Sequence, residues 1–143
     1  MAASVALTRQ LVIDALTAQQ LKYKIDDEGD LHVVFSRRKG KDIDFFVFNP
    51  ERTKGFLVAV GMCSRYFEND QLAKLITFCN TWNRDKRMPR AYVAGPDSDG
   101  DFTVRLDLQI LCERGVPVDL VQDNLDLFMS ASISFWNALD EEI

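Results

Sequence analysis

The run Phe78-Cys79-Asn80-Thr81-Trp82-Asn83-Arg84-Asp85-Lys86-Arg87-Met88-Pro89-Arg90-Ala91-Tyr92-Val93 decides how this chain is read. Before it, Leu72, Leu75, Ile76, Cys79 and Trp82 recur at helical spacing and share one face of a helix over about 69–83. Within it, Pro89 steers Met88 out of the helical region and opens an extended segment, Met88 to Ala94. Asn80 and Asn83 flank Trp82, and an asparagine amide can satisfy the free backbone groups of such a junction. Arg84, Lys86, Arg87 and Arg90 crowd the turn, where basic side chains complement the negative end of a helix dipole. Trp82 lies on the apolar arc and reads as core, so the stretch is a helix locked onto the start of a strand.

Upstream, Leu11, Val12, Ala15 and Leu16 form a short helical stripe over about 7–20, with Thr8 as its N-cap. The period then changes to two. Leu21, Tyr23 and Ile25 alternate with lysines, and Leu31, Val33 and Phe35 repeat the pattern beyond an Asp26–Asp30 turn containing Gly29. Residues 42–49 and Phe56 to Met62 complete a four-strand meander. Asn69 or Asp70 caps the second helix.

Downstream, Gly95–Asp101 is a hairpin turn. Phe102, Val104, Leu106, Leu108 and Ile110 alternate with Thr103, Arg105, Asp107 and Gln109, which gives one buried and one wet face. A third helix begins near Pro117 and gathers Val118, Val121, Leu125, Phe128, Met129, Phe135, Trp136 and Leu139 on one arc. The order α-β-β-β-β-α-β-β-α describes an α+β fold: a single antiparallel sheet with helices packed mainly on one face. With no linker or repeat, residues 1–143 read as one domain.

Net charge is −5, unevenly spread: residues 1–114 carry all 17 Lys and Arg against 16 acids, and residues 115–143 carry six acids and no base. An acidic last helix disfavours nucleic acid as the partner of the whole chain. No apolar run reaches the roughly 18 residues of a membrane span, which reads as a chain with no membrane partner. The opening Met1–Leu7 lacks the basic lead and apolar core of a secretory signal. Both observations point to the cytoplasm. Cys63, Cys79 and Cys112 are odd in number, far apart and without ligand spacing, so no metal or cofactor is expected.

The catalytic inventory is thin. His32 stands alone in a strand with no spaced acid or cysteine partner and reads as a surface residue. Asp97, Asp99 and Asp101 imitate the start of a calcium loop, but Phe102 and Leu108 stand where a glycine and a bidentate acid are required. A polar hairpin turn is the better reading. No phosphate loop or nucleophile elbow occurs. Arg37-Arg38-Lys39-Gly40-Lys41 reads as a solvated hairpin tip.

Asn80, Trp82, Asn83, Arg84, Arg87, Pro89 and Ala91, with the closing Phe135-Trp136, resemble the junction and last helix of the YbjN family. The resemblance implies a fold similar to the type III secretion chaperones, commonly dimers that bind unfolded protein segments, and a role in sensory transduction without a known reaction. On that reading, Asn80, Trp82, Asn83, Pro89 and Trp136 form a structural motif. The function expected is non-enzymatic protein binding or regulation. The surface expected to carry a protein partner or a homodimer is Phe46, Phe48 and Leu57, apolar residues left on the face that lacks helices. The competing reading is a regulator that binds an anionic ligand or nucleic acid through Arg84, Lys86, Arg87 and Arg90.

Overall fold

The computed structural model describes residues 3–143. In chain order these form β1 (Ser4–Val5), α1 (Arg9–Ala18), β2 (Lys24–Ile25), β3 (Leu31–Phe35), β4 (Ile43–Val47), β5 (Phe56–Cys63), a 3-10 turn (Asn69–Gln71) and α2 (Leu72–Asp85). Then come β6 (Arg90–Ala94), β7 (Thr103–Leu111), β8 (Val116–Pro117) and α3 (Val118–Glu142). Six strands make one antiparallel sheet in the order β2-β3-β4-β5-β7-β6, and β1 and β8 form a separate two-stranded ladder. That ladder, too short for a period-two signal, is the element the sequence pattern does not announce. Thr8 caps α1 as expected, its hydroxyl accepting the Leu11 N–H at 3.1 Å.

Alternation sorts the large sheet into two faces. Leu31, Val33, Ile43, Phe45, Val47, Leu57, Ala59, Ala91, Val104 and Leu106 point one way, and all are buried. The buried residues of all three helices join them in one core: Leu11, Val12, Ala15 and Leu16 of α1, Leu75 and Cys79 of α2, and the long apolar arc of α3. Phe45 meets Phe128 of α3 edge-on, with centroids 5.8 Å apart. Gly61, the register partner of Phe45, makes room for that ring, since a Cβ there would lie 3.2 Å from Phe45 Cε1. Phe135 forms the centre of an aromatic group, with Phe78, Trp82 and Trp136 edge-on to it at 5.3, 5.1 and 5.8 Å. This group couples α2 to α3.

The helix-to-strand junction is held by side chains. The Asn83 amide donates to the Ala91 carbonyl at 2.9 Å and accepts the Ala91 N–H at 3.0 Å, satisfying both backbone groups of one residue on the free edge of β6. Trp82 Nε1 donates to the Pro89 carbonyl at 3.1 Å, and Lys86 N–H to the Trp82 carbonyl at 2.7 Å. Asn83 therefore does what its position predicts. Asn80 does not: it is exposed and makes no side-chain hydrogen bond among the described residues.

Several expectations need correction. The β2 ladder covers Lys24–Ile25 rather than residues 21–25. Glu68, not Asn69 or Asp70, opens the second helical segment, its backbone N–H bonded to Gln71 Oε1 at 3.2 Å. Ile76 is 51% exposed and Phe78 takes its place in the packing, while Trp82 is only partly buried. Val118 is exposed one turn before the buried arc of α3 begins. Leu57 is fully buried beneath the helices and cannot belong to an exposed partner surface. Asp107, assigned to the wet face, is 5% exposed because Arg90 covers it.

Two substitutions test this packing. Trp136 is fully buried and its indole N–H has no acceptor among the described residues, so packing holds it. Trp136→Ala should cost about 3–5 kcal/mol in urea unfolding, and Trp136→Phe much less. Asn83→Ala should cost about 1–3 kcal/mol, because it strands the backbone groups of Ala91, a 3% exposed residue. Unchanged unfolding midpoints in Trp136→Ala or in Asn83→Ala would contradict the role given to that residue.

Candidate interaction face

Among the described residues, the opposite face of the sheet carries no helix. Its central strip is Phe46 on β4, Phe48 just beyond it, and Val58, Val60 and Met62 on β5, all half-buried. Register sets them side by side: Phe46 opposite Val60, Asp44 opposite Met62, and the Phe48 N–H bonded to the Val58 carbonyl at 3.0 Å. They floor a shallow depression of about 560 Å³. Phe46 and Phe48 thus lie where the sequence places them. Leu57 gives way to its neighbours Val58 and Val60. β5 is apolar on both faces, so period two cannot tell which parity is outward.

Polar groups flank the strip in pairs. On the β3–β4 side, His32 Nε2 and Asp44 Oδ1 are 2.7 Å apart, and the His32 ring stacks on Phe46 with centroids 4.4 Å apart. Sequence reasoning missed this pair because its members sit on different strands, brought together only by the β3–β4 register. Both are partly exposed, and such pairs stabilise little. On the β6–β7 side, Arg90 binds Asp107 through both guanidinium arms, with Nε to Oδ1 at 2.7 Å, and its guanidinium lies over Tyr92. The hydrogen bond and the charge of Asp107 raise the Arg90 pKa above its ordinary value. Arg105 is exposed on the same side and makes no ion pair among the described residues.

Asp26, Glu28 and Asp30 bring three carboxylates together at the rim. Those groups are occupied. Asp26 Oδ1 accepts the Glu28 and Asp30 N–H groups at 2.9 Å each, and Arg52 binds Glu28 at 3.1 Å and Asp30 at 2.6 Å. The Asp97 carboxylate is likewise spent on its own turn, accepting the Asp99 and Asp101 N–H groups. Cys63, Cys79 and Cys112 are free and buried. Burial pushes all three thiols up, that of Cys79 to about 11, so they stay protonated and poorly nucleophilic at neutral pH.

The basic junction does not assemble into one patch. Arg84 is neutralised by Asp85 at 2.8 Å, and Arg90 belongs to the open sheet face. Lys86 rests near the Trp82 ring at 5.9 Å, which leaves Lys86 and Arg87 as the cations of that turn without a carboxylate partner among the described residues. The 37–41 hairpin is not wholly solvated either. The Arg37 side chain is 2% exposed and pairs with Asp140 of α3 at 2.7 Å.

The family model of YbjN, described as "Putative bacterial sensory transduction regulator", matches residues 8–141. No curated protein matches the chain significantly. Among solved structures, this fold is similar to that of YbjN from E. coli, itself described as "a putative transcription regulator". The TM-score is 0.73 at 10% sequence identity, covering 98% of this chain and 97% of that one. At that identity the likeness concerns the fold. The family match over nearly the whole chain, with the Trp82-Asn83 junction and the Phe135-Trp136 packing in place, shows that this protein belongs to the YbjN family.

Proposed function

We propose that this chain is a non-enzymatic regulatory domain of the cytoplasm that works by binding protein, and that the partner of its helix-free sheet face is a second copy of the chain. One observation carries the reading: an apolar strip, Phe46, Phe48, Val58, Val60 and Met62, lies on a face that none of the three helices covers. An apolar strip rimmed by polar groups is the kind of surface on which protein partners dock. Charge supports a second copy. Asp44 and Arg105 flank Met62 in one cross-strand row. A two-fold axis parallel to the strands and centred on β5 lays Asp44 over the partner's Arg105, twice by symmetry. A regulatory role agrees with the family. The polar pairs of the face, Arg90 with Asp107 and His32 with Asp44, are satisfied by each other rather than aimed at a common reacting point. No helix among the described residues is long and apolar enough to cross a membrane.

Sedimentation equilibrium tests the reading. The native chain should show a concentration-dependent dimer, and Phe46→Asp with Phe48→Asp should weaken it about thirtyfold or more while the far-ultraviolet spectrum is retained. Asp44→Arg alone should also weaken it, and adding Arg105→Asp should restore it. A native monomer at all concentrations removes the second copy as partner. A dimer indifferent to all these changes removes the face.

A further inference from the structure

The hairpin between β3 and β4, packed against the last turn of α3, frames a concavity of about 700 Å³ on the side of the sheet that carries the helices. We infer that it is a second binding site, for an organic polyanion of nucleotide size: a flat apolar group bearing at least two negative charges.

Three observations converge on it. The first is charge. Arg37, Arg38, Lys39, Lys41 and Arg65 line the cavity against two carboxylates, Asp140 and Glu141, a local balance of +3 in a chain of net charge −5. Arg38, Lys39 and Lys41 are exposed and make no ion pair among the described residues. A concave wall of one sign concentrates ligands of the other.

The second is rigidity. Arg37 donates to the Lys41 carbonyl at 2.7 Å and to Asn137 Oδ1 at 3.1 Å, and pairs with Asp140, which also holds Arg65 at 2.5 Å. A carboxylate in the last turn of a helix opposes the dipole, and the two guanidiniums offset it. Gly40, at φ +91°, lets the loop close over this pair: a Cβ there would run into the Arg37 guanidinium and lie 2.6 Å from Asp140 Oδ2. The hairpin is thereby fastened to α3, and its three unpaired cations surround the cavity instead of trailing in solvent. Such preorganisation lowers the ordering cost of binding.

The third is the mixed lining. Phe35, 36% exposed, and Ile133 give the cavity an apolar floor beside the cations. Its volume falls within the roughly 300–1,000 Å³ of small-molecule sites. An apolar floor beside cations suits a ligand with both characters. The cations of the 84–90 turn do not line this cavity.

Equilibrium dialysis with labelled ADP at near-physiological salt tests the inference, with pyrophosphate and adenosine as competitors. One ADP should bind per chain, and each competitor should displace it more weakly than unlabelled ADP. Arg38→Ala with Lys39→Ala and Lys41→Ala should weaken binding about tenfold or more at an unchanged melting temperature. Lys39→Glu alone, at an exposed position, should move affinity in the same direction if the triple variant proves unstable. Arg84→Ala with Arg87→Ala, and Phe46→Asp with Phe48→Asp, should leave ADP binding intact, so this inference stands or falls apart from the dimer. Absence of saturable binding, or equal loss in the Arg84/Arg87 variant, would overturn it. So would pyrophosphate competing as well as ADP, or a short single-stranded oligodeoxynucleotide binding more tightly than ADP.

Discussion

The Asn83 side chain stands in for a missing strand. Its amide gives one hydrogen bond to the Ala91 carbonyl and takes one from the Ala91 N–H, on the edge of β6 that faces no other strand. An open edge invites pairing with another chain, and covering it with a side chain from the preceding helix removes that option at Ala91. The same two bonds fix where α2 lies. With Trp82 tied to the Pro89 carbonyl and edge-on to Phe135, the helix is held on the side of the sheet already occupied by α3. Because α2 is committed there, no helix remains for the other side.

The two faces of the sheet then meet different physics. On the covered side, large side chains interlock, as where Phe45 fills the space that Gly61 leaves. On the open side, polar groups are drawn into pairs that shield part of the apolar strip: His32 lies flat on Phe46, and Arg90 lies over Tyr92 while holding Asp107. These pairs keep the face compatible with water without covering it. The association proposed for this face and the cavity between the 37–41 hairpin and α3 lie on opposite sides of the sheet, so a ligand in one has no steric conflict with a partner on the other.

Much of this was legible in the residues. The helical stripes, the meander and the strict alternation over 102–110 gave the element order, and Pro89 with the two asparagines marked the junction. What stayed hidden was hidden for identifiable reasons. β5 is apolar on both faces, so Leu57 and Val58 were interchangeable until the register with β4 and β7 fixed their parity. The His32–Asp44, Arg90–Asp107 and Arg37–Asp140 pairs join residues 12, 17 and 103 positions apart, and no local period encodes such meetings. Arg37 in particular sits in a run of cations whose composition argues for solvent. Asp140 and Asn137, both from the acidic last helix, draw it inward. The β1–β8 ladder is two residues long and lies below what periodicity resolves.

Methyl NMR of the native protein across a dilution series asks whether the helix-free face is where two copies of this chain meet. If it is, concentration-dependent shifts are confined to Val58, Val60 and Met62, with the methyls of Leu57, Val104 and Leu106 unmoved beneath the helices. Shifts on the helix-covered side, or none at any concentration, would contradict it.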